Sequence, residues 1–246
     1  MITRESHYLR AIFILFKKEL ASYFNSPIAY IFIGAFLIVG NWLFFKNFWI
    51  LNQASLRGYF TLLPWLLLFL APALTMRLWA EEKQIGTIEF LLTLPLTNWQ
   101  AVLAKFIGAL IFLMIALLLT ITLPLTLWWL GPPDWGPIIG SYLGACFLGG
   151  AYLAIGLFVS SLTKNQIIAF IMSLAIGFLL FIVGEDFVIA GLPPGPAALA
   201  QFIGLGRRFS NIARGVVDSR DVIYYLSLIW FALWLNVKVL TGRKWQ

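Results

Sequence analysis

Charge is what this sequence has least of. Asp, Glu, Lys and Arg make up 11% of its 246 residues, where a soluble domain carries about 25%. Hydrophobic residues reach 61%, well above the usual share of about 45–50%. Cysteine is nearly absent too. Cys146 is alone, which excludes an intrachain disulfide and a cysteine zinc site. His7 is the single histidine, so neither a Ser–His protease nor a His-clustered metalloprotease fits. No Gly-rich phosphate loop ending in Gly-Lys-Ser/Thr occurs, so the chain does not cradle ATP by that route. No apolar stretch carries an acidic or basic residue near its middle, where proton- and ion-coupled pumps keep such groups. No catalytic, cofactor or metal residue is therefore assigned, and the chain is not expected to be an enzyme.

What remains is a sequence of long apolar runs. A helix needs about 20 mostly apolar residues to cross the hydrocarbon core. Six stretches qualify: Pro27–Trp49, Tyr59–Leu78, Phe106–Trp129, Pro137–Leu162, Gln166–Gly184 and Val222–Leu240. They predict an all-α polytopic membrane protein, one transmembrane domain over residues 1–246, with lipid as its solvent. The segment 185–221 lacks charge in part, but Pro193, Pro194 and Pro196 are too dense for a span. It reads as a long external segment with short helices before the last crossing.

Six crossings put both termini on one side. Placing them inside gives eleven Lys and Arg inside against six outside, the bias that sets orientation in membranes. The +7 net charge is explained this way, without nucleic acid as a partner. The run Ala11–Phe16 is too short for a signal-peptide core, so the N-terminus is expected to stay cytoplasmic. Tyr8–Phe24 places Leu9, Ile12, Phe13, Phe16, Leu20 and Phe24 at helical spacing, which predicts an amphipathic helix at the cytoplasmic interface.

The connection after the second run is unusual. Between Glu81 and Pro95 it holds three carboxylates, Glu81, Glu82 and Glu89, and one lysine, Lys83. As one helix it gathers Ile85, Ile88, Leu91 and Leu92 on a face, with Gly86, Glu89 and Thr93 opposite. Glu81 and Glu82 then sit at its start, where the dipole favours anions, and Pro95 ends it. An anionic leaflet attracts Lys and Arg, not carboxylates. A capped helix packed under the bundle and a helix made for a protein groove both fit the pattern.

The stretch "EEKQIGTIEFLLTLPLT" resembles the cytoplasmic segment after the second span in permeases of type-2 ATP-binding-cassette (ABC) exporters. Glu81, Glu82, Gly86, Thr87, Glu89, Leu91, Leu92 and Pro95 match that motif in order. The C-terminal stretch beginning "FSNIARGVVDSRD" resembles the gliding-motility-type branch, close to permeases linked to copper-enzyme maturation. The pair Arg207–Arg208 in "GLGRR" departs from it. The resemblance implies a membrane permease of the cytoplasmic (inner) membrane that works as a dimer with a second permease subunit. It implies two copies of a separate ABC ATPase subunit carrying ATP and magnesium, and no cofactor on this chain. It makes the Glu81–Pro95 segment the coupling helix. The alternative is a non-transporting, force-transmitting subunit acting on an extracytoplasmic partner through residues 185–221, with Arg214, Asp218 and Arg220 as candidate external site. Asp218 or Ser219 also fits as the cap of the last helix.

Two smaller features complete the pattern. Gly140 and Gly144 form a Gly-x-x-x-Gly step in a glycine-rich fourth run, suited to close packing inside the bundle or between subunits. Pro64, Pro72 and Pro124 interrupt backbone hydrogen bonding within runs, which fits either a moving gate or a fixed kink.

Overall fold

Apolar runs in a low-dielectric solvent must pair their backbone groups internally, and the helix does so within one segment. The computed structural model describes residues 4–51, 55–89 and 96–243, and among them every regular element is a helix. In chain order these are α1 (Arg4–Phe24), α2 (Pro27–Leu51), α3 (Arg57–Ile85), α4 (Asn98–Leu119), α5 (Thr122–Leu130), α6 (Trp135–Ser160), α7 (Gln166–Ile182), α8 (Asp186–Ile189), α9 (Pro194–Ile203), α10 (Leu205–Ala213) and α11 (Ser219–Arg243). Among the described residues five segments are long and apolar enough to cross a membrane, α4 and α5 counting together as one. Helix α7 is shorter, at 17 residues, or about 26 Å. The chain is an all-α polytopic membrane protein.

Helix starts follow local chemistry. Thr97 and Gln100 form a reciprocal capping box at α4. Asp134 Oδ1 accepts from the Gly136 amide at 3.2 Å to cap α6, and Asn165 Oδ1 accepts from Ile167 at 2.9 Å to cap α7. The Asp218 carboxylate accepts from the Arg220 amide at 2.9 Å at the head of α11.

The third apolar run is two helices, α4 and α5, separated at Thr120 and Ile121. Pro124 has no N–H for the carbonyl four residues back, which is that of Thr120. The Tyr142 hydroxyl donates to this carbonyl at 3.1 Å. This carbonyl also accepts from the Leu123 amide at 3.0 Å, so one acceptor closes the turn and ties the break to α6.

Helix α6 is the centre of the bundle. It packs against α3, α4, α7, α10 and α11, and most of its residues are buried. Its glycines serve these internal contacts. A Cβ at Gly140 would run into the Ile212 carbonyl oxygen and lie 3.0 Å from Gly215 Cα. Both obstacles are backbone. Gly140→Ala is expected to lower stability by about 1–3 kcal/mol through overpacking, read as thermal unfolding in detergent. Gly34 on α2 has open space around it. Gly34→Ala is expected to be neutral or to gain up to about 1 kcal/mol from helix propensity. Equal losses in both variants would refute the packing account.

The buried side of α1 is Leu15, Glu19 and Tyr23, with Ile12, Phe16 and Leu20 partly buried beside it. Phe13 and Phe24, placed on the apolar face by their spacing, are exposed. The inward face is therefore rotated from the sequence expectation. A charged residue, Glu19, is inside because α4 supplies it with a cation.

Candidate functional site: the α3–α4 connection and the opposite cavity

Helix α3 does not stop at the charged residues. It runs on to Ile85, so Glu81 and Glu82 occupy the last turns of the second apolar helix. This corrects the expectation of one helix starting at Glu81. Two carboxylates near a helix C-terminus oppose the dipole, so other groups must hold them there. Glu82 Oε1 receives a hydrogen bond from Lys105 Nζ at 2.7 Å, and the same ammonium donates to Glu19 Oε1 at 3.0 Å. The three side chains are 18%, 3% and 8% exposed for Glu82, Lys105 and Glu19. Lys105 Nζ also lies 4.8 Å from the ring centroid of the fully buried Trp79.

Lys83, one residue on, points to another helix. Its buried ammonium donates to the Ser161 carbonyl at the end of α6, where a helix C-terminus favours a cation. Next to it the Ser160 hydroxyl donates to the Met76 carbonyl at 2.9 Å. It also accepts from the Trp79 and Ala80 amides at 3.2 Å. Arg77 reaches back to Ser26 Oγ at 2.5 Å and the Ser22 carbonyl at 3.2 Å, and the Tyr23 hydroxyl donates to the Leu74 carbonyl at 3.0 Å. The last three turns of α3 are thus fastened to α1, α4 and α6 together.

Gly86 ends α3 at φ +83°, a left-handed conformation that glycine adopts without strain. The Thr87 hydroxyl sits 3.4 Å from the Glu82 carbonyl, one of the acceptors left over at the helix end. Residues 87–89 are helical again. Ile88 is buried, while Glu89 and Thr87 are exposed and Ile85 is 67% exposed. The break at Gly86 therefore splits Ile85 from Ile88, which one continuous wheel had placed on a common face. Leu91, Leu92 and Pro95 lie outside the described residues.

At the other end of the bundle, residues 185–221 pack onto α6 through α10. Arg208, half of the unexpected arginine pair, turns inward. Its Nη1 is 2.9 Å from Asp221 Oδ1, and its Nη2 and Nε donate to the Phe202 carbonyl at 2.8 and 3.2 Å. The guanidinium also lies 3.9 Å from the Tyr224 ring centroid. Asn211 Nδ2 completes the cluster at 3.3 Å from Asp221 Oδ2. The three candidate residues here behave differently. Asp218 caps α11, and Arg214 and Arg220 are exposed. Only Arg214 lines the cavity of about 750 Å³ between α3, α6, α7 and α10. Burial, and then the neighbouring Asp186, push the Glu185 carboxyl in its wall above the usual carboxylate range.

Sequence reasoning missed Glu19, Lys105, Lys83 and the Arg208–Asp221 pair. One signal was available: Thr97-x-x-Gln100 is a capping-box spacing. It starts the third helix eight residues before Phe106 and so draws Lys105 into it.

The arrangement defines a class: a helical membrane bundle whose ionic clusters join helices. Among the described residues no cluster of His, Cys, Asp and Glu could hold a metal ion. Residues 15–227 match the ABC-2 family transporter proteins, and the chain belongs to that family. It is a multi-pass permease subunit of an ABC transporter, a transport component and not a catalytic one. Membership implies partnership with an ABC ATPase subunit. No curated protein matches the sequence.

Proposed function

We propose that this chain is the membrane half of an ATP-driven exporter of the inner membrane, and that residues 81–95 receive the ATPase. Two copies of the permease and two ATPase subunits, which bind ATP and magnesium, form the working complex. Six crossings, with α7 as the short fifth, leave both termini and the α3–α4 connection in the cytoplasm. The observation that carries this reading is the fastening of the α3 end. A push on Ile85, Thr87 or Glu89, the exposed residues of this turn, reaches α1 and α4 through Glu82 and Lys105, and α6 through Lys83. Glu81, Gly86, Thr87, Leu91, Leu92 and Pro95 shape the docking segment around it. An exposed apolar residue beside a carboxylate suits a protein groove with a basic rim better than an anionic leaflet.

A second reading keeps the ATPase but makes residues 185–221 the working end, pulling on an extracytoplasmic partner. The Arg208–Asp221 pair favours it to this extent: it joins that segment to the last helix.

Glu89→Lys tests the docking role. Glu89 is exposed, so insertion and folding are expected to be unchanged. Affinity for the ATPase subunit is expected to fall about tenfold, the effect of roughly 1.4 kcal/mol, with loss of permease-stimulated ATP hydrolysis. Wild-type co-purification and wild-type stimulation would remove the segment from the coupling path.

A further inference from the structure

The cavity at the α8–α10 end combines charged and aromatic walls. Its polar lining includes Arg57, Arg214, Asp134 and Glu185, and its apolar wall includes Trp65, Phe181 and Phe209. The four charges are not equivalent. Asp134 is occupied at the head of α6, where Oδ1 accepts from the Gly136 amide. Glu185 lies against Gly206 at the head of α10, where a Cβ on the glycine would strike its Oε1. Both carboxylates therefore offset the positive ends of helices. Neither guanidinium has such a partner: among the described residues Arg57 and Arg214 make no side-chain hydrogen bond or ion pair. The result is two free forked donors at the edge of an aromatic pocket. A guanidinium matches carboxylate and phosphate oxygens in bidentate fashion.

The level of the cavity matters as well. Trp128 and Trp129 at the end of α5 and Trp135 at the start of α6 are exposed, and tryptophans gather at the boundary between headgroups and acyl chains. A ligand there has an aqueous side and a hydrocarbon side.

We infer that this cavity binds an anionic amphiphile, with a phosphate or carboxylate head held by Arg57 and Arg214 and an apolar tail against Trp65, Phe181 and Phe209. The site lies within one protomer and away from the α3–α4 connection. Its occupancy is a property of the permease alone.

Binding to the purified chain in neutral detergent tests this, with intrinsic tryptophan fluorescence as readout. Because no ATPase is present, failure here is distinct from failure of the coupling role. Three probes separate the sources of the anion: inorganic phosphate, a single-chain phosphatidylglycerol, and a single-chain phosphatidylcholine. The phosphatidylglycerol is expected to bind at least tenfold tighter than either of the others. Arg57→Gln and Arg214→Gln are each expected to weaken it about tenfold, as loss of one charge-assisted bond does. Ser210→Trp adds bulk at the exposed lining without touching charge and is expected to abolish binding. Unchanged affinity in all three variants would overturn the site. Equal binding of the phosphatidylcholine would overturn the anion requirement, and equal binding of phosphate would overturn the amphiphile.

Discussion

Lys105→Met is expected to cost about 3–5 kcal/mol of stability, the range for removing one partner of a buried ion pair. Two regimes compete for this number. An exposed pair contributes only about 0–1 kcal/mol. Lys105 is 3% exposed, with Glu19 and Glu82 at 8% and 18%, so the buried regime governs. Most of the loss comes from the two carboxylates left without a cation, and less from the vanished attraction. The triple variant Glu19→Gln, Lys105→Met, Glu82→Gln removes that defect and is expected to regain more than half of the loss. Detergent-resistant folded yield and thermal unfolding of the three proteins measure it. A Lys105→Met protein as stable as wild type would show the cluster to be solvated, and an unrecovered triple variant would assign the loss to packing. A reconstituted complex adds a functional reading. The triple variant, stable but unlinked at this point, is expected to bind the ATPase while showing weaker permease-stimulated hydrolysis.

The second large effect belongs to the opposite end. Asp221→Ala leaves the Arg208 guanidinium, 11% exposed, with the Phe202 carbonyl and aromatic faces but no anion. A loss of about 3–5 kcal/mol is expected, and it is expected to be local, because α10 carries Arg208 while α11 carries Asp221. Residues 186–216 should become the first site of proteolytic cleavage while the spans stay protected. Asp221→Leu combined with Arg208→Met replaces the pair by apolar groups and should restore protection. The neighbouring pair Arg207–Asp186 gives a control. It is 3.7 Å long, with Asp186 fully exposed, and Arg207→Ala should leave cleavage as it was. Cleavage spread evenly over the chain in the Asp221→Ala protein would show that the pair supports the whole bundle.

The parts of this molecule legible in its sequence are those that depend on local pattern. Apolar runs became helices because lipid leaves backbone groups no other partner. Asp134, Asn165 and Asp218 begin helices by side-chain chemistry within three residues of themselves. Gly86 and Thr87 also act locally, one by its φ and the other by reaching back five residues. The charged residues were harder because a charge in isolation looks like a solvent-facing group. Glu19 and Lys105 are 86 residues apart, and no wheel drawn on one helix shows that the other awaits it. Glu81–Glu82–Lys83 looked like a helix boundary for the same reason. Two of the three are turned into the bundle toward α4 and α6. Arg208 stood out as a departure from the family pattern. Its partner was already visible as Asp221 in the first turn of the last helix, but only the fold of α10 joins them.

The division between α4 and α5 bears on how displacement is shared across the membrane. A continuous rod would carry any rotation of its lower end to its upper end. Here the lower rod is gripped at Lys105 and the upper one carries Pro124 in its first turn, with the Tyr142 hydroxyl pinning the elbow to the central helix. The lever arm from the base therefore ends at this elbow, and the wall near Leu127 belongs to a separate short helix.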